Sequence, residues 1–106
     1  MGRDTNLGDL QQLTMLAVAR LQKEAFGSAI QDELQQVAGR EVSVSTIYVT
    51  LVRLEDQGLV RSNKTPPDPT RGGRGKRFFE LTPQGWEALQ SSKEALLSMW
   101  NGVTPA

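Results

Sequence analysis

Four segments of the chain carry apolar residues at helical spacing, and two short segments of alternating apolar and polar residues precede the last of them. The spacing predicts helices at about residues 9–23, 26–38, 45–57 and 83–100 and a two-stranded hairpin over 59–82. Between the strands, "TPPDPTRGGRG" has three prolines and three glycines and is expected to be an irregular tip. The order predicts one domain, mainly α with a small β-hairpin, folded as a winged helix-turn-helix whose wing is the hairpin.

Several helix ends carry recognisable capping residues. Asp9 with Gln12 resembles a capping box at the start of the first helix. Ser43 or Ser45 is suited to cap the third helix, and Thr82, followed by a proline, the last. These signals support the helix starts that the periodicity predicts.

The third predicted helix has two different faces. Its expected core face comprises Ile47, Leu51 and Leu54, with Val44 and Tyr48 at the edge. The opposite face is expected to carry small or hydroxyl side chains and one arginine, namely Ser45, Thr46, Val49, Thr50 and Arg53. Short side chains let a helix approach base edges in the major groove, where hydroxyls, methyls and an arginine contact bases or phosphates. A polar outer face is also found on any half-buried helix, so this face alone does not decide between the two.

Charge is distributed unevenly along the chain. The net charge is zero, but residues 61–77 carry six basic residues and one acid, which leaves the rest acidic. Such a basic segment attracts a polyanion, and the alternative is a solvated loop. With the third helix beside it, the wing is expected to follow the phosphate backbone or enter the minor groove. The candidate DNA contacts are Ser43, Ser45, Thr46, Tyr48, Val49, Thr50 and Arg53 on the helix and Lys64, Arg71, Arg74, Lys76 and Arg77 on the wing.

The composition argues against an enzyme. The chain has no cysteine and no histidine, so thiol chemistry, disulfides, most transition-metal sites and the commonest general base are missing. The run "GGRGK" lacks the serine or threonine that follows the lysine of a P-loop. We expect no catalytic residues, metal or cofactor. The chain has neither a long apolar run nor an apolar leader, so we expect a cytoplasmic protein without a membrane partner.

The third helix and the second strand resemble the PadR family of bacterial transcriptional regulators, in its short form. "SVSTIYVTLVRLEDQGLV" follows the family's recognition-helix pattern, which includes a threonine, a tyrosine, leucine-x-x-leucine-glutamate and glycine-leucine-valine. "KRFFELTPQG" is similar to the family's wing strand, and Phe26-Gly27 to the start of its second helix. Val49 stands where many members have proline, and Phe78-Phe79 where many have tyrosines. The resemblance covers about residues 7–100, and the departures are expected to affect DNA preference and wing shape more than the fold.

The resemblance implies a homodimer that binds palindromic double-stranded operator DNA, usually as a repressor, and that a small-molecule ligand can release. The last helix has more apolar surface than one hairpin covers, which favours dimerisation. The expected dimer interface, formed by the first and last helices, comprises Leu10, Leu13, Trp86, Leu89, Leu96, Leu97 and Trp100. Trp86 and Trp100 are also candidates for holding a flat ligand. The alternatives are that these residues close the monomer core, or that the tryptophans only pack in the interface.

A winged-helix module that binds only protein is the main rival to a DNA-binding regulator. Such domains keep the fold but lose the basic wing and the small-residue face of the third helix. Both features remain in this sequence. They favour a DNA-binding regulator over a protein-interaction module.

Overall fold

The computed structural model of the chain describes residues 7–65 and 76–105. It contains, in order, α1 (Asp9–Leu21), a 3-10 turn (Gln22–Glu24), α2 (Gly27–Ala38), α3 (Val44–Asp56), β1 (Val60–Lys64), β2 (Arg77–Leu81) and α4 (Pro83–Trp100). The two strands pair as an antiparallel hairpin, which we call the wing. The predicted class, mainly α with a small β-hairpin, is confirmed. The predicted tip between the strands lies outside the described residues.

The starts of the helices differ in how they are capped. Ser43 and Thr82 cap α3 and α4 through their side-chain oxygens, as predicted for Thr82 and as one of two alternatives for α3. The capping box predicted from Asp9 and Gln12 is wrong. Gly8 is the N-cap of α1, and its backbone N–H donates to the side chain of Gln11 at 3.1 Å. The glutamine that closes this start is thus one position earlier than the sequence pattern indicated.

In the described residues, one hydrophobic core lies between α1, α2, α3, the wing and the first half of α4. Ile47, Leu51 and Leu54 are fully buried, which confirms the predicted core face of α3. They join Met15 and Val18 of α1 in the same cluster. Burial of large apolar side chains is the main favourable term in folding, so these contacts hold α3 in place.

The wing has an inner and an outer face, fixed by the register of its strands. The inner face consists of the directly opposed pairs Val60–Leu81, Ser62–Phe79 and Lys64–Arg77. The outer face consists of the pairs Arg61–Glu80 and Asn63–Phe78. Phe79 is fully buried, so the inner face is the one that packs on the helices.

Phe79 joins the wing to α3 and to the segment just before α2. Its backbone N–H donates to the carbonyl of Ala25, just before α2, at 3.1 Å. Its ring meets the ring of Tyr48 on α3 edge to face, with 6.1 Å between the centroids. The wing is therefore attached to the helical body by a backbone hydrogen bond and by a buried aromatic contact.

The first turn of α4 lies directly against the base of the wing. The hydroxyl of Thr82 donates to the carbonyl of Gly58 at 2.6 Å, and its backbone N–H donates to the carbonyl of Leu59 at 3.1 Å. A Cβ atom at Gly85 would lie 2.0 Å from the Leu59 carbonyl oxygen. Only glycine allows this close approach of two backbones.

The second half of α4 extends away from the core. Every residue from Lys93 to Trp100 is exposed, although the segment contains several large apolar side chains. Across the described residues, no helix combines the length and apolarity needed to cross a membrane.

We expect Leu51→Ala to lower the free energy of unfolding by about 2–5 kcal/mol, because the side chain is fully buried and its loss leaves a cavity. Val52→Ala, on the exposed side of the same helix, is the matched control and should change stability by less than about 0.5 kcal/mol. Urea denaturation followed by circular dichroism measures both. Equal effects of the two substitutions would mean that the core face of α3 is wrongly assigned.

Candidate nucleic-acid interface

The exposed arc of α3 runs along one side of the helix. It comprises Ser45, Thr46, Val49, Val52, Arg53 and Asp56. Val52, which is 45% exposed, was not among the predicted contacts. It stands three residues after Val49 and therefore shares its face, so the helical period alone could have identified it.

The prediction that Thr50 faces outward is wrong. The residue is only 7% exposed, and its hydroxyl donates to the backbone carbonyl of Thr46 at 2.9 Å. Thr50 lies three residues after Ile47 and four before Leu54, so the helical period places it beside the core. The hydrogen bond to the preceding turn satisfies the hydroxyl and removes most of the cost of its burial. Thr50 thus supports the helix from the inside.

Three hydroxyl groups are linked at the exposed N-terminus of α3. The Ser43 hydroxyl oxygen accepts from the backbone N–H of Thr46 at 3.2 Å, and the hydroxyl group donates to the Thr46 hydroxyl at 2.9 Å. It also lies 3.2 Å from the hydroxyl of Ser45. These contacts hold the three side chains together at the end of the helix where the backbone dipole is positive. The arrangement offers hydroxyl donors to an acceptor on a nucleic acid.

The side chain of Tyr48, on α3, reaches both the wing and the start of α2. Besides its contact with Phe79, its ring packs against Gly27, where a Cβ atom would lie 2.7 Å from the ring carbon Cε2. The residue is half-buried. Its aromatic ring therefore positions α3, whatever contact its hydroxyl makes with a ligand.

The positive charges near α3 are of two kinds. Arg53 is exposed and forms no ion pair within residues 7–65 and 76–105. Lys64 and Lys76 are also exposed, and the Lys76 ammonium lies 5.3 Å from the centroid of the Phe26 ring. These three side chains can present their charge to an anion. Arg71 and Arg74, predicted as wing contacts, lie outside the described residues.

Arg77, by contrast, has its charge compensated within the protein. Its guanidinium lies 3.2 Å from a carboxylate oxygen of Glu55 on α3 and donates to the Ser62 hydroxyl, also at 3.2 Å. Its terminal carbon lies 5.1 Å from the centroid of the Phe79 ring. The sequence placed Arg77 among the wing cations but gave no sign of these contacts.

A second ion pair lies on the outer face of the wing. Arg61 donates to a carboxylate oxygen of Glu80 at 2.5 Å. This hydrogen bond lowers the pKa of the Glu80 carboxyl below its ordinary value. The stabilisation is present above the ordinary pKa of a glutamate and is lost as the pH falls through the lowered pKa. Because the Arg61 and Glu80 side chains are 59% and 39% exposed, water screens the pair and the contribution is small.

An apolar groove of about 650 Å³ lies between α4 and α1, on residues expected in a dimer interface. Trp86, Leu89, Leu96, Leu97 and Trp100 line it, together with Leu16 of α1 and four polar or charged residues. Leu16 was not predicted. Leu10 and Leu13, which were, are partly buried against the core of their own chain. Leu89 is almost fully buried and belongs to that core as well as to the groove.

No group of three or more histidine, cysteine or acidic residues in the described part of the chain is arranged to hold a metal ion. The polar features of the structure are instead those of the α3 arc and of the wing. The sequence as a whole also matches a known protein family. The model of the PadR-like family of transcriptional regulators matches residues 15–91, most of the chain.

This chain belongs to the PadR-like family of transcriptional regulators.

Proteins similar to this PadR-like chain agree with that assignment. The transcriptional regulator Rv3488 of Mycobacterium tuberculosis is 38% identical over 73 residues. The match spans 69% of this chain and 64% of that protein, which is less than two thirds of its length.

Solved structures of PadR regulators share the fold. A PadR family regulator from Eggerthella lenta superposes with a TM-score of 0.68 at 25% identity, over 89% of this chain and 81% of that one. PadR of Bacillus subtilis, solved in complex with operator DNA, gives a TM-score of 0.64 at 19% identity. That match covers 95% of this chain and 51% of the other. The four helices and the hairpin of this chain are thus the winged-helix fold of PadR regulators.

We expect Gly27→Ala to destabilise this PadR-like chain by about 1–3 kcal/mol, because the new methyl group overlaps the Tyr48 ring. Ser28→Ala, at an exposed position of the same helical turn, serves as the control. In a Tyr48→Ala background, which removes the ring, Gly27→Ala should cost much less. The double-mutant cycle is measured by urea denaturation. An equal cost with and without the ring would show that Gly27 does not hold Tyr48.

Proposed function

We propose that this chain is a sequence-specific double-stranded DNA-binding transcriptional regulator, and that it represses transcription from a palindromic operator as a homodimer. The observation that carries the proposal is the exposed arc of α3. It combines linked hydroxyls at the N-terminus, two valines and one arginine, and the only acid in it, Asp56, is at the far end. The N-terminal half of a recognition helix is the part that meets base edges in helix-turn-helix proteins.

The chemistry of this arc matches the major groove of DNA. Ser45 and Thr46 supply hydroxyls that can donate to or accept from bases and phosphates, and Val49 supplies methyl groups suited to the methyl group of thymine. Arg53, one turn further along, is long enough to reach a guanine edge or a phosphate. Lys64 and Lys76, at the end of the wing farthest from α4, add charge for the neighbouring phosphates. The proposal gains further support from the Bacillus subtilis PadR structure, because that family member is bound to operator DNA.

The homodimer follows from the surface of α4. Leu97 and Trp100 are 58% and 64% exposed, and they line the same groove as Leu16. A continuous apolar surface of this kind marks a site of association. A second copy of the chain covers it most simply, since a two-fold axis pairs α4 and α1 of one protomer with those of the other. A dimer of this kind reads two half-sites about 34 Å apart, which matches a palindromic operator.

The groove is also the proposed site of a small-molecule effector. Trp86 and Trp100 offer flat aromatic surfaces in a concave, mainly apolar setting, which suits a flat ligand. A ligand bound there would contact the surfaces that join the protomers, and so would alter how the recognition helices are presented to DNA.

The protein acts in the cytoplasm, where bacterial operators are.

Specific DNA binding is tested by fluorescence anisotropy with labelled duplexes that tile the region upstream of the protein's own gene, at two salt concentrations and with random competitor. We expect tight binding to one duplex that resists competitor. Arg53→Ala should weaken that binding by about 1–3 kcal/mol and change the free energy of unfolding by less than about 0.5 kcal/mol.

Arg20→Ala is the matched control, since it also removes one exposed positive charge but lies on α1, paired with Glu33. It should leave specific binding nearly unchanged. Equal weak binding to every duplex, lost at the higher salt, would indicate a backbone binder. No binding at low salt, together with capture of a protein partner, would favour the protein-interaction module.

The homodimer is tested with Leu97→Glu, which places a charge in the apolar groove. An uncompensated charge in a buried interface costs about 3–5 kcal/mol, so the dimer should dissociate in sedimentation velocity experiments. Ser98→Glu adds the same charge on the next residue, which does not line the groove, and should remain dimeric. If both variants sediment like the unmodified protein, the interface lies elsewhere.

A further inference from the structure

The geometry points to Arg77 and Glu55 as a latch that fixes the wing against the recognition helix α3. We infer that Arg77 is a positioning residue, which aids DNA binding by holding the wing in place instead of contacting phosphate. This inference rests on the proposed DNA binding and adds to it a role for two residues of the wing–helix junction.

One carboxylate joins α3 to both strands of the wing. One oxygen of Glu55 contacts the Arg77 guanidinium of β2 at 3.2 Å. The other oxygen accepts from the Ser62 hydroxyl of β1 at 3.0 Å. Arg77 and Ser62 are themselves hydrogen-bonded at 3.2 Å, so the three side chains form a closed triangle. Among the described residues, these are the side-chain hydrogen bonds that join α3 to the wing.

The direction of the Arg77 side chain follows from the strand register. Arg77 lies on the inner face of the wing, two residues before the buried Phe79, so both side chains point toward the helices. The Phe79 ring, 5.1 Å from the guanidinium carbon, supports the group as Glu55 binds it. Lys64 lies opposite Arg77 in the register, and both cations of this inner face are exposed, with 42% of the Arg77 side chain accessible to solvent.

The charge of Glu55 allows the latch to be distinguished from a direct contact between Arg77 and phosphate. Glu55 carries a negative charge close to the proposed DNA surface, so removing it should strengthen DNA binding if charge alone matters. If Glu55 holds the wing, removing it weakens binding, although an acid has been lost. The sign of the change for Glu55→Ala therefore distinguishes the two roles.

The outer ion pair of the wing supplies the matched control. Glu80 pairs with Arg61 on the opposite face, and among residues 7–65 and 76–105 it forms no ion pair with α3. Glu80→Ala removes the same charge from the same hairpin and should leave operator binding unchanged or slightly tighter. Glu55→Ala and Arg77→Ala should each weaken it by about 1.5- to fivefold, the range for a partly exposed ion pair. The double variant should bind the operator no more weakly than the single variant with the lower affinity, because both substitutions break the same ion pair.

A second measurement needs no DNA. The Phe79 amide bonds to the Ala25 carbonyl and so reports whether the wing stays docked on the helices. Its hydrogen exchange, followed by NMR, should be several-fold faster in Glu55→Ala and Arg77→Ala than in Glu80→Ala.

The outcomes separate the latch from the proposed function. Weaker operator binding and faster Phe79 exchange in Glu55→Ala support the latch. The latch is overturned if Glu55→Ala binds as tightly as Glu80→Ala and only Arg77→Ala loses affinity with a shallower salt dependence, the mark of a phosphate contact. If the unmodified protein binds no duplex, the proposed function fails, and the exchange rates alone decide whether Glu55 and Arg77 hold the wing.

Discussion

The arrangement of the wing and the helices depends on the buried ring of Phe79 and its contacts. The residue is fully enclosed, and its backbone and ring together reach the start of α2 and the middle of α3. A two-stranded hairpin is marginal in water, so the wing needs such an attachment to have a fixed orientation. Tyr48 reaches from α3 to the same ring and in turn occupies the space left by Gly27. The wing and α3 can therefore act as one surface because they share one buried aromatic cluster.

Helix α3 has one face in the hydrophobic core and the opposite face in water. Ile47, Leu51 and Leu54 face the core, while the other side of the helix keeps two valines and small hydroxyl residues in water. Valine at exposed helical positions contributes little to folding, since it is a weaker helix former than alanine and gains no burial. Such residues are useful on a surface that meets another molecule closely. The composition of the outer arc thus suits the proposed recognition of DNA, and that of the inner arc stabilises the fold.

Periodicity predicted the fold because each element has a strong local signal: the apolar stripes of the helices, the alternation before Leu81 and the proline after Thr82. The same reasoning located most of the α3 arc. Thr50 was assigned to this arc although the helical period places it beside the core, where its own helix satisfies the polar hydroxyl. The sequence pattern could not identify Glu55 as a partner of Arg77, because charge in a sequence carries no information about partners that only the tertiary fold brings close. The contribution of Leu16 to the groove depends likewise on how α1 and α4 pack.

The contact at Gly85 gives α4 a mechanical property. Because Gly85 has no side chain, the backbone of the first turn lies directly against the Leu59 carbonyl, and this contact is a fixed point about which the helix can tilt. The helix beyond it is a lever about 22 Å long as far as Trp100, at about 1.5 Å per residue. A tilt of about 5° at this fixed point moves the far end by about 2 Å, a distance larger than a carbon–carbon bond. Since Thr82 at the start of α4 also binds the Gly58 and Leu59 carbonyls at the base of the wing, such a tilt would displace the backbone on which the wing rests.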